Sequence, residues 1–231
     1  YQQFVEYNIQ DVELVDKLED KMKLIELCLT MAYEAKVNYT DVYSQVRCWD
    51  TIIYNHLLKK NIIIPPREDH DKDTQYEGAY VKDPQLGLHN WIVSFDLNSL
   101  YPHLIMQYNL SPETLVGVQP KNMGVENYLN EKFNLQWAKD KNVTVAPNGS
   151  MYRRDKQGFL PELMEKMYGD RVVFKKKTIE AKKEFQKTKD PIYKNEISRC
   201  NNIQMAKKIA LNSAYGAIGN QYFSCLLYTS D

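Results

Sequence analysis

The sequence contains no apolar run near the ~20 residues that a membrane-spanning helix needs, and no secretory signal is visible at its front. None of its four cysteines, Cys28, Cys48, Cys200 and Cys225, falls in a C-x-x-C pair. That argues against a local zinc or redox motif and favours reduced thiols in a cytoplasmic protein. The four histidines, His56, His70, His89 and His103, are scattered, which argues against a histidine-based metal site. There is no internal repeat, no low-complexity tract and no net charge, with 30 basic against 30 acidic residues. What is present is ordinary for a globular protein: 43% hydrophobic and 26% charged residues in 231, enough for one or two domains. The chain opens on Tyr1 rather than Met, and we read it as a fragment.

Neutrality hides an asymmetry. Residues 1–150 hold 14 Lys+Arg and 21 Asp+Glu, whereas 151–215 hold 16 and 8. A segment of net +8 inside a neutral chain suits a local polyanion site. Lys-rich helices are also often simply solvated, and charge alone leaves both readings open.

Apolar spacing predicts helix over 1–35 and again over 42–60, with Trp49, Ile52, Ile53 and Leu57 on one face. Pro65-Pro66 ends the second helix. Tyr76–Val81 is expected to be a short strand, and Trp91–Phe95 a buried one ending at Asp96. Pro102 predicts a turn before a short helix. Residues 117–150 are weakly patterned and are expected to be surface insertions, with a hairpin strand and turn over 152–158. Two long helices then form a hairpin, 161–187 and 191–215, broken at Lys189-Asp190-Pro191 and ended by Gly216 and Gly219.

A carboxylate at the end of a buried strand needs compensation for its desolvation, and a divalent cation would supply it. Asp96 is followed by Leu97-Asn98-Ser99-Leu100-Tyr101-Pro102, a tight turn whose successive N–H groups could make an anion nest. Metal plus nest suits a Mg²⁺-triphosphate; an Asp that merely caps the next helix is the alternative. On the hairpin, Arg171 and Lys175 are four apart, as are Lys208 and Asn212, with Tyr215 seven from Lys208. Each set shares a helix face. Converging faces would surround one anion, Arg gripping phosphate oxygens with two donors and Lys acting as a point charge. A tyrosine at the end of the stripe could stack on a base or ribose.

Asp96-Leu97-Asn98-Ser99-Leu100-Tyr101-Pro102 resembles the D-x-x-S-L-Y-P motif A of family B DNA polymerases. Lys208-Ile209-Ala210-Leu211-Asn212-Ser213-Ala214-Tyr215-Gly216 resembles their K-x-x-x-N-S-x-Y-G motif B. Order and flavour are most similar to the replicative polymerases of T-even-type tailed phages. The resemblance implies that Asp96 ligates two catalytic Mg²⁺ ions, with the Leu97 carbonyl as a further ligand. It implies that Ser99 and Leu100 offer amides to the triphosphate and that Tyr101 sits under the sugar and excludes a 2′-hydroxyl. Arg171, Lys175, Lys208 and Asn212 would hold the phosphates, and Tyr215 and Gly216 would lie against the nascent pair and template. Tyr76-Glu77-Gly78-Ala79 is similar to the family's template-contacting Y-x-G-G/A element, although a Gly bulge in an ordinary strand reads the same. Tyr7-Asn8-Ile9-Gln10-Asp11 resembles the last 3′–5′ exonuclease motif, in which Asp11 would bind a metal and Tyr7 orient the attacking water.

The implied fold class is α+β, a multidomain polymerase fragment. Residues 1–24 would end an exonuclease domain, 25–67 connect, 68–157 begin the palm, 158–219 form helical-hairpin fingers, and 220–231 start a second palm part. Primer–template DNA and dNTPs are the implied partners, with a sliding clamp and other replisome proteins reached through missing regions, and no membrane. The pattern also departs from the family. The D-T-D of motif C is not in the chain, and the hairpin is short. Cys225–Asp231 resembles translated sequencing adaptor and is expected to be non-native. With one acidic motif the polypeptide alone is expected not to polymerise DNA. A non-catalytic nucleic-acid-binding module with a basic helical hairpin is the alternative, as is a degenerate structural subunit. The lack of a large insertion between motifs A and B leans toward nucleic-acid rather than protein priming.

Overall fold

The computed structural model describes residues 1–64, 81–118, 136–220 and 222–223, and within it the chain divides into two compact units. The first comprises Tyr1–Lys60 and Lys166–Ser213, the second Asn61–Glu165 and Ala214–Asp231.

In the first unit, α1 (Gln2–Met22) and α2 (Leu24–Ala35) are separated by Lys23, which adopts a left-handed conformation (φ 53°) and donates its N–H to the Glu19 carbonyl. The expected single helical stretch is thus two helices. α1 buries none of its residues: Leu14 and Leu18 of the predicted stripe are exposed. A 3-10 turn, Tyr39–Tyr43, leads into α3 (Gln45–Leu58), whose Ser44 cap accepts from the Arg47 N–H. α3 buries Cys48, Trp49, Ile53 and Leu57. Spacings of four along one face make this an amphipathic helix with its stripe inward.

Most of two long helices belongs to this unit: α6 (Phe159–Thr188) and α7 (Pro191–Ile218). They are antiparallel, since Lys187 lies near Tyr193, Lys177 near Glu196 and Cys200, and Asp170 against Lys207. The turn between them uses Lys189 at φ 58° and Asp190, whose Oδ1 accepts from the Ile192 N–H. Helix α7 continues through Gly216 to Ile218, beyond its expected end, because one helical glycine costs only about 1 kcal/mol relative to Ala.

The second unit contains α4 (Leu100–Tyr108) and a three-stranded antiparallel sheet of β1 (Leu115–Val118), β2 (Val143–Val145) and β3 (Ser150–Arg153) in the order β1-β3-β2. Thr144 and Leu115 both face Tyr152, and a bulge interrupts β1 between Leu115 and Gly117. A short α5 (Gln136–Asp140) packs on the sheet, Ala138 and Val145 being buried with Trp137, Val143 and Met151 against them. Ala146-Pro147-Asn148-Gly149 turns β2 into β3, with Gly149 at φ 90° and Asn148 Oδ1 accepting from the Ser150 N–H. This stretch, expected to be surface insertions, instead supplies most of the sheet. Its strands are three or four residues long, too short for a period-2 pattern to stand out.

The expected buried strand at 91–95 is not formed. Residues 92–97 carry no regular secondary structure, and Trp91 (98%), Ile92 (76%), Val93 (70%) and Phe95 (91%) are exposed. An apolar run buries itself as a strand only where a neighbouring strand takes up its backbone donors and acceptors, and among the described residues none does. The predicted strand at 76–81 lies, except for Val81, outside the described residues.

Candidate functional site

The motif A turn is built around Ser99. Its backbone sits in the left-handed region (φ 53°, ψ 50°) and α4 begins immediately after it. For a residue with a Cβ that conformation costs roughly 1–2 kcal/mol. A left-handed residue followed by a helical one turns successive N–H groups to one side, the geometry of an anion nest. The first N–H groups of a helix have no intrahelical acceptor, and Pro102 has none to offer, so Leu100 and Tyr101 carry the first-turn donors of α4, next to the N–H of the Ser99 cap. His103 closes it from below: its N–H donates to the Ser99 carbonyl at 3.2 Å, and its Nδ1 lies 2.9 Å from the same oxygen.

Asp96 and Leu97 are exposed. The desolvation argument for a cation at Asp96 therefore does not hold, because the carboxylate does not end a buried strand. Among the described residues no three His, Cys, Asp or Glu side chains cluster to hold a metal ion. Mg²⁺ at phosphate sites takes one or two carboxylates and completes its shell with phosphate oxygens and water. Asp96 fits one such ligand and cannot by itself position two ions.

Tyr101, in the first turn of α4, stacks on Tyr215 near the end of α7: their ring centroids are 4.7 Å apart and the planes 13° from parallel. Both rings remain partly exposed. The contact brings the tips of motifs A and B together as one aromatic platform within the second unit.

Helix α7 has two contrasting faces. Cys200, Ala206, Lys207, Leu211, Ala214 and Ala217 are buried, while Lys208, Asn212, Tyr215 and Gly216 are exposed. The predicted stripe therefore points to solvent because the opposite side of the helix is packed. Trp49 of α3, fully buried, fixes that side: its indole N–H donates to the Ala210 carbonyl at 3.1 Å and to Ser213 Oγ at 3.3 Å. On α6, Arg171 is half-buried and Lys175 exposed. Tyr7 and Asp11 lie one helical turn apart on α1, both exposed. Tyr76, Gly78 and Ala79 lie outside the described residues.

Sequence reasoning missed the mount at the start of α6. Asn109, 8% exposed and left-handed (φ 58°), ends α4. Its Nδ2 donates to the Arg153 carbonyl at 2.6 Å and the Lys156 carbonyl at 2.9 Å, and its Oδ1 accepts from the Gly158 N–H at 2.9 Å. Glu113 Oε1 accepts from the Phe159 N–H at 2.6 Å and Ser111 Oγ from the Leu160 N–H at 3.4 Å, so two first-turn donors of α6 are capped from a distant loop. The available signal was an Asn at a helix C-terminus followed by Ser-Pro-Glu-Thr.

The sequence model of DNA polymerase family B matches residues 36–231. The chain belongs to that family. It is 31% identical to the DNA-directed DNA polymerase of Enterobacteria phage T4 and 29% identical to that of Escherichia phage RB69. Each match covers 96% of this chain and 29% of the relative. The fold is similar to that of the family B DNA polymerase of the archaeon Pyrobaculum calidifontis, with TM-score 0.65 and 24% identity over 98% of this chain and 26% of that one. The chain thus spans less than a third of the family B relatives' length. No described helix is long and apolar enough to cross a membrane.

Proposed function

We propose that this chain is the nucleotide-binding segment of a template-directed DNA polymerase that adds deoxynucleotides to a primer 3′ end. The Tyr101–Tyr215 stack carries the reading, because it joins the two motifs whose residues would handle the incoming nucleotide. In this reading the amides of Ser99 and Leu100 serve triphosphate oxygens, and Arg171, Lys175, Lys208 and Asn212 supply charge and hydrogen bonds to phosphate. Tyr101 lies under the sugar and excludes a 2′-hydroxyl. Tyr215 and Gly216 meet the nascent pair. Tyr76, Gly78 and Ala79 contact the template.

Asp96 and the Leu97 carbonyl would be ligands of Mg²⁺. Bound there, Mg²⁺ would supply electrostatic stabilisation of the charge that develops on the transferred phosphoryl group. Among the described residues no cluster of carboxylates would place a second ion beside Asp96, so the reading assigns nucleotide binding to this segment. Tyr7 and Asp11 belong in this reading to a 3′–5′ proofreading site, Asp11 as a metal ligand and Tyr7 orienting water.

The test is titration of Mg²⁺-dNTP into the wild-type chain and into Lys208→Ala. Saturable binding lost in the variant supports a nucleotide site. Binding of primed DNA without any nucleotide binding would favour the basic hairpin as a nucleic-acid-binding module instead.

A further inference from the structure

Lys207 is packed and paired where its neighbour Lys208 is exposed. Its side chain is only 10% exposed, and its ammonium meets two carboxylates on two other helices: Glu34 of α2 at 2.7 Å and Asp170 of α6 at 3.3 Å. A buried lysine is tolerated only when paired in this way. Glu26, two turns before Glu34 on α2, accepts from Ser198 Oγ and Asn202 Nδ2 of α7, each at 3.2 Å. Helix α2 is therefore attached to α7 at two levels by its acidic side chains.

The position of this node in the sequence gives it a consequence. Asp170 immediately precedes Arg171, and Lys207 immediately precedes Lys208. An ion pair between residues 170 and 207 ties α6 to α7 one residue before each of those two cations. It fixes how far one helix can slide along the other and how far α7 can rotate about its axis. We propose that Lys207, held by Glu34 and Asp170, is a positioning residue that sets the register of Arg171 and Lys208 for a triphosphate. Lys207 itself does not touch the ligand, since it points into the packed side of α7.

The inference rests on the nucleotide-site reading above. The test uses inorganic tripolyphosphate as the probe and the 231-residue chain, by calorimetric titration of wild type, Lys208→Ala, Lys207→Met, Lys207→Arg, Asp170→Asn and Glu34→Gln. The temperature is kept well below each variant's unfolding midpoint. Lys207→Met and Asp170→Asn are expected to weaken binding about tenfold, on the order of one charge-assisted hydrogen bond to phosphate. Lys207→Arg is expected to recover most of the loss. A merely structural role would lower the unfolding midpoint of these variants and leave their affinity at the wild-type value, which would overturn the proposal. Asp170→Asn keeps the Lys207–Glu34 pair, so it tests the register even where Lys207→Met fails to fold. If wild type binds and Lys208→Ala does not, while the node variants all bind normally, the nucleotide site stands and the positioning role fails. If wild type does not bind tripolyphosphate, the nucleotide-site reading fails and takes this inference with it.

Discussion

Replacing Asn109 separates backbone strain from hydrogen bonding at the mount of α6. Its amide makes three hydrogen bonds, to the carbonyls of Arg153 and Lys156 and from the Gly158 N–H. A net hydrogen bond is worth about 0.5–1.5 kcal/mol, and a buried partner left unsatisfied costs about 1–3. Asn109→Gly removes all three and is expected to destabilise by about 3 kcal/mol. Asn109→Ala loses the same bonds and adds a Cβ at φ 58°, a further cost of roughly 1 kcal/mol. Asn109→Asp keeps the acceptor for Gly158 but turns a carboxylate oxygen toward two carbonyls. It is expected to be at least as unstable as Asn109→Ala at neutral pH. Protonation restores one donor, so its folded-state pKa is raised: the variant regains stability as pH falls and loses it as pH rises. Urea unfolding of the three variants measures the order, wild type above Gly, Gly above Ala. Equal stabilities for Gly and Ala would refute the strain argument, and all three variants within about 0.5 kcal/mol of wild type would refute the network's importance.

Other variants probe single features. Gly169 and Gly216 both lie inside helices, and a Cβ added at either would meet nothing within 4 Å, so alanine at either should stabilise by up to about 1 kcal/mol; only Gly216→Ala should weaken primer–template binding in a gel-shift titration, and equal DNA affinities for the two would remove Gly216 from the DNA-facing surface. Gly158→Ala places a methyl 2.5 Å from Ser111 Cβ and should destabilise by roughly 1–3 kcal/mol, read by thermal melting. The Arg199 guanidinium, and then the Cys200 thiol, hold the Glu196 carboxyl at about 2 against an ordinary 4.5. That stability is present above pH 4.5 and is lost as pH falls toward 2, so Glu196→Gln should flatten the acid side of the pH–stability curve. Burial, followed by the Glu196 hydrogen bond, pushes the Cys200 thiol up, so iodoacetamide should modify partly exposed Cys28 well before Cys200 or buried Cys48.

The long elements are legible in the sequence because their periodicity is long. The hairpin of α6 and α7 follows from its strongly charged stretches, Pro161 and the Lys189-Asp190-Pro191 break, and the inward stripe of α3 from apolar spacing that persists over several turns. The exposed stripe of Lys208, Asn212 and Tyr215 follows from the same spacing. The strand expected over 91–95 fails because an apolar run reports that burial is favourable without reporting that a pairing strand is at hand. Most of the sheet escapes notice because its strands are too short to show alternation, although Tyr152 of β3 lies in the stretch expected to hold a hairpin strand and Asn148-Gly149 marks its turn. Lys207 is unreadable beside Lys208: in a Lys-rich helix, only the packing of α2 and α6 distinguishes an inward lysine from an outward one. The Asn109 mount joins residues more than forty apart in sequence, a separation at which local propensity carries no signal.

Photolabelling with a dTTP analogue carrying an azidoanilide on its γ-phosphate, followed by peptide mapping, asks directly where a triphosphate lies. A nucleotide held by this segment labels peptides of α6 around Arg171 and Lys175 and of α7 around Lys208 and Asn212. The labelling is competed by unmodified dTTP and is absent from Lys208→Ala. Label confined to other peptides, or unaffected by dTTP, would contradict the assignment of these helices to a polymerase nucleotide site.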